Sequence, residues 1–174
     1  WTAASELWRG KTGNMKMALN GALTIGTLDG ANVEIKEEVG DANIFIFGLT
    51  AQQVADVKAS AYNPRHYYNQ HSELKEVLDM IATGFFSVEE PNRYQAIVDN
   101  LLINGDNYLL LADYESYIAM QDEVGRVYQD QEEWSRRAIL NVARMAKFSS
   151  DRTIGEYAKN IWQVESLKVK SMLI

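Results

Sequence analysis

Two short, apolar, β-prone stretches, residues 22–27 and 43–47, stand on either side of a connection far too long for a hairpin. Residues 28–42 are enough to carry the chain back across one face of a sheet, so the two stretches are expected to pair in parallel through a right-handed crossover. The crossover reads as a helix over 31–39, and another helix over 13–20 precedes the first strand, giving an αβαβ rhythm up to about residue 48. From residue 50 onward apolar residues recur at helical spacing almost throughout. Helices are expected near 51–60, 64–69, 72–81, 92–102, 114–128, 132–147 and 153–164. Turn chemistry separates them at Tyr62-Asn63-Pro64, Thr83-Gly84, Glu90-Pro91-Asn92 and Asn104-Gly105-Asp106-Asn107.

The last expected helix opens on Thr153-Ile154-Gly155-Glu156, which has capping-box spacing, and carries an apolar face of Ile154, Ala158, Ile161 and Trp162. Trp134, Ile139, Val142 and Met145 form a comparable face on the helix before it. The two faces are expected to pack on each other.

With 174 residues, 47% of them hydrophobic, the chain is long enough to bury one core. A net charge of −7 gives no basic field of the kind that binds nucleic acid or anionic membranes, so neither is expected as a partner. There is no cysteine, which excludes disulfides, thiolate metal sites and a cysteine nucleophile and suits a cytoplasmic location. The longest apolar runs fall well short of the ~20 residues that span a bilayer. The opening "WTAASELWRG" has neither the basic start nor the apolar core of a signal peptide and begins with Trp1, so a piece of a longer chain is expected.

The stretch "GKTGNMKMALNG", residues 10–21, concentrates the chemistry. It is not a phosphate-binding P-loop, because Ser5 stands where that motif needs its first glycine. A dinucleotide fingerprint fails too, since Gly26 and Gly30 are four apart and no G-x-G-x-x-G occurs. What remains is a helix start, Thr12-Gly13-Asn14, with free backbone N–H groups and a hydroxyl able to meet a phosphate. Lys16 follows Thr12 by one helical turn on the same face. That spacing suits a cofactor with both a phosphate and a reactive carbonyl, namely pyridoxal phosphate, with Lys16 as the imine-forming amine. By spacing alone, a lysine near such a helix start is more often a solvated surface residue than a cofactor lysine.

The run "TGNMKMALNGALTIGTLDGANVEI", residues 12–35, resembles the pyridoxal-phosphate site of the α-glucan phosphorylases, the glycogen, starch and maltodextrin phosphorylases. The likeness continues through "NIFIFG", "YNPRHYYN", "GFFSVEEPNRYQAIVDNLL", "LADYESYIAMQDEV" and "FSSDRTIGEYAKNIWQVE". It implies an α/β fold, part of the C-terminal Rossmann-like lobe of a GT-B glycosyltransferase, followed by a helix-rich C-terminal cover. In those terms residues 1–11 are an unmatched segment, 12–48 the cofactor-binding αβ part and 49–174 the helical part. Lys16 falls on the lysine that carries pyridoxal 5′-phosphate, and Thr12 and Gly13 on the residues that hold its phosphate. The implied reaction is phosphorolysis: inorganic phosphate releases glucose 1-phosphate from an α-1,4-glucan. The family also implies a homodimer in the complete enzyme, and an N-terminal lobe that these residues do not include.

Ahead of Thr12 the pattern departs. Trp8, Arg9, Gly10 and Lys11 occupy the positions where the family has Glu-Ala-Ser-Gly lining the glucose pocket, so no sugar-binding residue is carried over. Trp8 cannot replace a carboxylate that accepts from sugar hydroxyls, and Lys11 brings a side chain where glycine allows close approach. Two readings follow: a partial α-glucan phosphorylase chain, inactive alone, or a non-catalytic remnant that acts at most as an interaction module.

Other residues have structural expectations. Asp29 or Asn32 is a candidate N-cap for the crossover helix. His66 and His71, five apart, lie off a common helical face and are not expected to bind metal. Glu37-Glu38, Asp122-Glu123 and Glu132-Glu133 are read as solvated helix faces, and Tyr67 and Tyr68 as packing or interface residues.

Overall fold

The computed structural model describes residues 13–165. Its first part is α1 (Gly13–Leu19), β1 (Ile25–Thr27), α2 (Ala31–Val39), a 3₁₀ turn at Asp41–Asn43 and β2 (Phe45–Phe47). β1 and β2 pair in parallel, Ile25 opposite Phe45 and Thr27 opposite Phe47, with α2 as the crossover, as the long connection requires. α2 turns Asn32, Ile35 and Val39 inward, one stripe at helical spacing. With Ala18 from α1, Ile44 before β2 and Met145 from far along the chain, Ile35 and Val39 form the first hydrophobic core.

The rest is helical: α3 (Ala51–Ala59), α4 (Pro64–Gln70), α5 (Ser72–Ala82), α6 (Gln95–Leu102), α7 (Leu110–Gln129), α8 (Gln131–Arg144) and α9 (Ser150–Tyr157). Thr50 and Gln53 close a capping box on α3, Asn63 caps α4 with Pro64 in its first turn, and Asp130 accepts from the Glu133 N–H to cap α8. Leu74 and Leu78 of α5 meet Leu111 of α7 in a second core, flanked by Tyr67, Tyr68 and Tyr114. Both tyrosines of α4 are thus packing residues, as expected. Among the described residues no helix is long and apolar enough to cross a membrane.

Several boundaries move, each for a local reason. α7 begins at Leu110 rather than 114, because Asp106 is buried in the preceding turn and its Oδ2 accepts from the Leu111 N–H at 2.8 Å and from the Tyr62 hydroxyl at 2.8 Å. α6 begins at Gln95 rather than 92, residues 91–94 being consumed by turns. α9 begins at Ser150, so the capping box expected at Thr153 does not form. Thr153 lies inside the first turn and donates to the Ser149 carbonyl at 3.1 Å, while Glu156 pairs with Arg152.

The expected pairing of the last two helices is not made either. Ile139, Ile154, Ile161 and Trp162 are all more than half exposed. Trp134 instead stacks with Phe45, and Met145 enters the first core. α8 and the turn after it turn inward a stripe of half-buried Trp134 and Arg137 and buried Asn141 and Met145, which rotates Ile139 and Val142 outward. A 3₁₀ turn at Met145–Phe148 and a π turn at Ala158–Trp162 then redirect the chain.

Candidate functional site

Parallel α/β sheets bind ligands beyond the carboxyl ends of their strands. Here the carboxyl end of β1 is tied to the start of α1. Asn32, wholly buried on α2, donates from Nδ2 to the Thr27 carbonyl at 3.0 Å and accepts at Oδ1 from Asn14 Nδ2 at 2.9 Å. Asn14 Oδ1 in turn accepts from the Met15 N–H at 3.0 Å. Neither candidate N-cap fills that role. The N-cap of α2 is Gly30, at φ 52, with no side-chain cap bond; Asp29 accepts the Gly30 N–H at 2.7 Å, and the Asn32 amide is committed to β1 and α1.

Gly13 and Lys16 lie on α1, whereas Thr12 lies outside the described residues. Ala18 faces the core with no exposure while Lys16 faces solvent. Among the described residues Lys16 has no ion-pair partner, and its own backbone carbonyl accepts from Asn20 Nδ2 at 2.7 Å. Gly13 is exposed, and among the described residues a Cβ there would meet nothing within 4 Å. A first turn and an amine that no other described residue occupies fit a group that needs room for a phosphate and a primary amine for its carbonyl.

The carboxyl end of β2 is clamped by α7. Gly48, at φ 81, donates its N–H to Ser116 Oγ at 2.9 Å, and the Leu49 N–H donates to Asp113 Oδ1 at 2.8 Å. A Cβ on Gly48 would lie 2.9 Å from the Asp113 carboxylate, so only glycine fits. Burial pushes the Asp113 carboxyl up, aided by Asp106 and opposed by the Leu49 bond. Burial, together with the bond to Asp106, also pushes the Tyr62 phenol far above its ordinary value.

α8 secures the amino end of β2. Asn141 Nδ2 donates to the Asn43 carbonyl at 2.9 Å, an Arg144 N–H donates to the Val39 carbonyl at 2.7 Å, and the Arg137 guanidinium lies 5.3 Å from the Phe45 ring. Glu133, bonded to Arg136 and Arg137, is held down at about 2 by those guanidiniums. The other acidic pairs are surface features: Glu38 meets Lys147 and Glu123 meets Arg126. His66 lies edge-on to Tyr67 and His71 against Tyr114, and among the described residues no three His, Cys, Asp or Glu side chains are grouped to hold a metal ion.

A carbohydrate phosphorylase family model matches residues 2–164. The chain belongs to the carbohydrate phosphorylase family. Its relatives include a Synechocystis sp. protein named glycogen phosphorylase, 54% identical over 159 residues, which are 91% of this chain and 19% of the relative. The brain form of glycogen phosphorylase from Homo sapiens is 51% identical over 154 residues, 88% of this chain and 18% of that protein, and the muscle form from Mus musculus is 49% identical over the same shares. The chain thus spans about a fifth of these phosphorylases. The family match begins ahead of Thr12, inside the segment that the shared motifs leave out.

The amide pair is the part that sequence reasoning misses. Asn14 stands two residues before Lys16, and Asn32 reads in the sequence only as a candidate cap; nothing in their spacing announces a bond across the crossover.

Proposed function

We propose that this chain is the cofactor-bearing part of an α-1,4-glucan phosphorylase, with Lys16 as the residue that carries pyridoxal 5′-phosphate and Thr12 and Gly13 holding the cofactor's phosphate. When bound, the cofactor supplies a phosphate able to exchange a proton with inorganic phosphate. Lys16 supplies the amine that fixes the cofactor, and Gly13 brings no side chain into the space above the first turn. Residues 12–48 form the cofactor-binding part of a GT-B C-terminal lobe and 49–174 its helical cover. The substrates are inorganic phosphate and glycogen, starch or maltodextrin, the product is glucose 1-phosphate, and the complete enzyme is a cytoplasmic homodimer.

The observation that carries this reading is the position of Lys16: exposed and unpaired among the described residues, on a helix tied to the carboxyl end of a parallel strand, inside the run that matches the family. By itself the chain is expected not to turn over glucan, because it spans about a fifth of the phosphorylases it matches and residues 12–35 offer only Lys16 to offset two phosphates brought together.

A chimera tests the proposal. Residues 12–174 of this chain, replacing the matching part of the Synechocystis relative and leaving that protein's own residues ahead of Thr12 in place, are expected to release glucose 1-phosphate from glycogen with added phosphate, and the same chimera with Lys16→Ala is expected to release none. A folded chimera without activity, or a Lys16→Ala form that retains it, contradicts the assignment.

A further inference from the structure

Seven residues of α1, Gly13–Leu19, are among the described residues, and a helix of that length needs tertiary support to hold in water. Its one wholly buried side chain is the small Ala18, two residues beyond Lys16, with Met15 and Leu19 partly buried against the same core. Lys16 adds a long stem with many rotamers. Met15 in the first turn packs on the first core, and polar bonds hold the same turn from the side of α2. Asn14 is engaged at both ends of its amide, giving Nδ2 to Asn32 and taking the Met15 N–H on Oδ1. Asn32 is engaged at both ends too, by Asn14 and by the Thr27 carbonyl.

Asn32 is not needed to start its own helix. The backbone does that, through the Asn32 N–H to the Asp29 carbonyl at 3.1 Å and the Val33 N–H to the Gly30 carbonyl at 3.2 Å. Its side chain therefore spends a fully buried amide on two other elements, the end of β1 and the start of α1. A buried amide with both ends bonded is directional in a way that apolar packing is not.

We propose that Asn32 is a positioning residue for Lys16: acting through Asn14, it sets the roll of the first turn of α1 and so the angle at which the lysine stands at the carboxyl end of β1. The inference rests on the reading that Lys16 carries pyridoxal phosphate, and its test separates the two.

The whole chain, the Asn32→Leu variant and the Asn14→Asp variant are incubated with pyridoxal phosphate and reduced with borohydride, and the adducts are located by peptide mass mapping. Exposed Lys58 serves as the internal standard. Asn14→Asp keeps the acceptor for the Met15 N–H but loses the donor to Asn32, on a residue that is only partly buried, so it severs the link even if Asn32→Leu fails to fold. Both variants are expected to lower the Lys16-to-Lys58 labelling ratio by roughly tenfold, with circular dichroism unchanged and with faster amide exchange at residues 15–19; the double variant is expected to be no worse than either single one. If the unaltered chain shows no preference for Lys16, the functional reading falls and the positioning role with it. If the unaltered chain prefers Lys16 and folded variants keep that ratio, the functional reading stands and the positioning role is wrong.

Discussion

The two hydrophobic cores are built on different plans. The second is comparatively local, since Leu74, Leu78 and Leu111 come from helices that follow one another closely and are flanked by tyrosines. The first joins Ala18, Ile35, Val39 and Ile44 to Met145, and Asn141 and Arg144 add bonds from α8 to the carbonyls of Asn43 and Val39. The candidate cofactor lysine thus sits on a short helix whose buried side is completed from the far end of the sequence. The αβ part and its site depend on α8 and the turn that follows it, whereas the second core buries Leu74, Leu78 and Leu111 without a residue from α8.

The largest effect expected from breaking this dependence is that of Met145→Ala, which should cost about 2–5 kcal/mol in denaturant unfolding. Amide exchange should accelerate in α1 and α2 while α5 keeps its protection. Equal loosening of both cores would remove the contrast. Next, Gly48→Ala forces a side chain into a left-handed position 2.9 Å from the Asp113 carboxylate and should cost about 2 kcal/mol in thermal unfolding. Asn141→Ala should follow at about 1–3 kcal/mol, because it removes a buried donor from the Asn43 carbonyl.

A smaller, pH-dependent effect is expected at the clamp between α7 and β2. Burial raises the Asp113 carboxyl above its ordinary value of 3.8, so the folded chain holds that proton more tightly than the unfolded one does. Its stabilising contribution is full below 3.8 and is lost as pH rises through the folded value. The side-chain amide oxygen in an Asp113→Asn variant still accepts the Leu49 N–H, so D113N should be the more stable form at neutral pH, with the gap closing below 3.8 when unfolding is followed across pH. The smallest effect belongs to the exposed face beyond α8. Ile161→Gln should move stability by less than about 0.5 kcal/mol while lowering apolar dye binding, because Ile161 is 65% exposed.

Legibility in the sequence follows the same division. The parallel pair and its crossover are readable because residues 28–42 are too long for a hairpin and 31–39 carry a clean helical stripe. Pro64 after Asn63 announces the start of α4. The start of α7 is not readable, because it depends on a buried carboxylate reached by Tyr62 from another part of the chain. The apparent capping box at Thr153 misleads because a threonine hydroxyl inside a helix bonds backward as readily as one at its start caps forward. The face of α8 misleads as well: its buried stripe includes Asn141 and Arg137, whose polar heads meet backbone and ring partners that no local pattern displays. At the site, Lys16 and Gly13 are singled out by their spacing and by the family likeness, while the Asn14–Asn32 bond appears only once the crossover folds back.

The central claim is that Lys16 is the lysine that carries pyridoxal phosphate. The most direct test is borohydride trapping of the folded chain after incubation with the cofactor, with every lysine peptide mapped by mass. The account predicts a phosphopyridoxyl adduct concentrated on Lys16; a folded chain with no adduct, or with one spread evenly over Lys11, Lys58 and the other lysines, would contradict it.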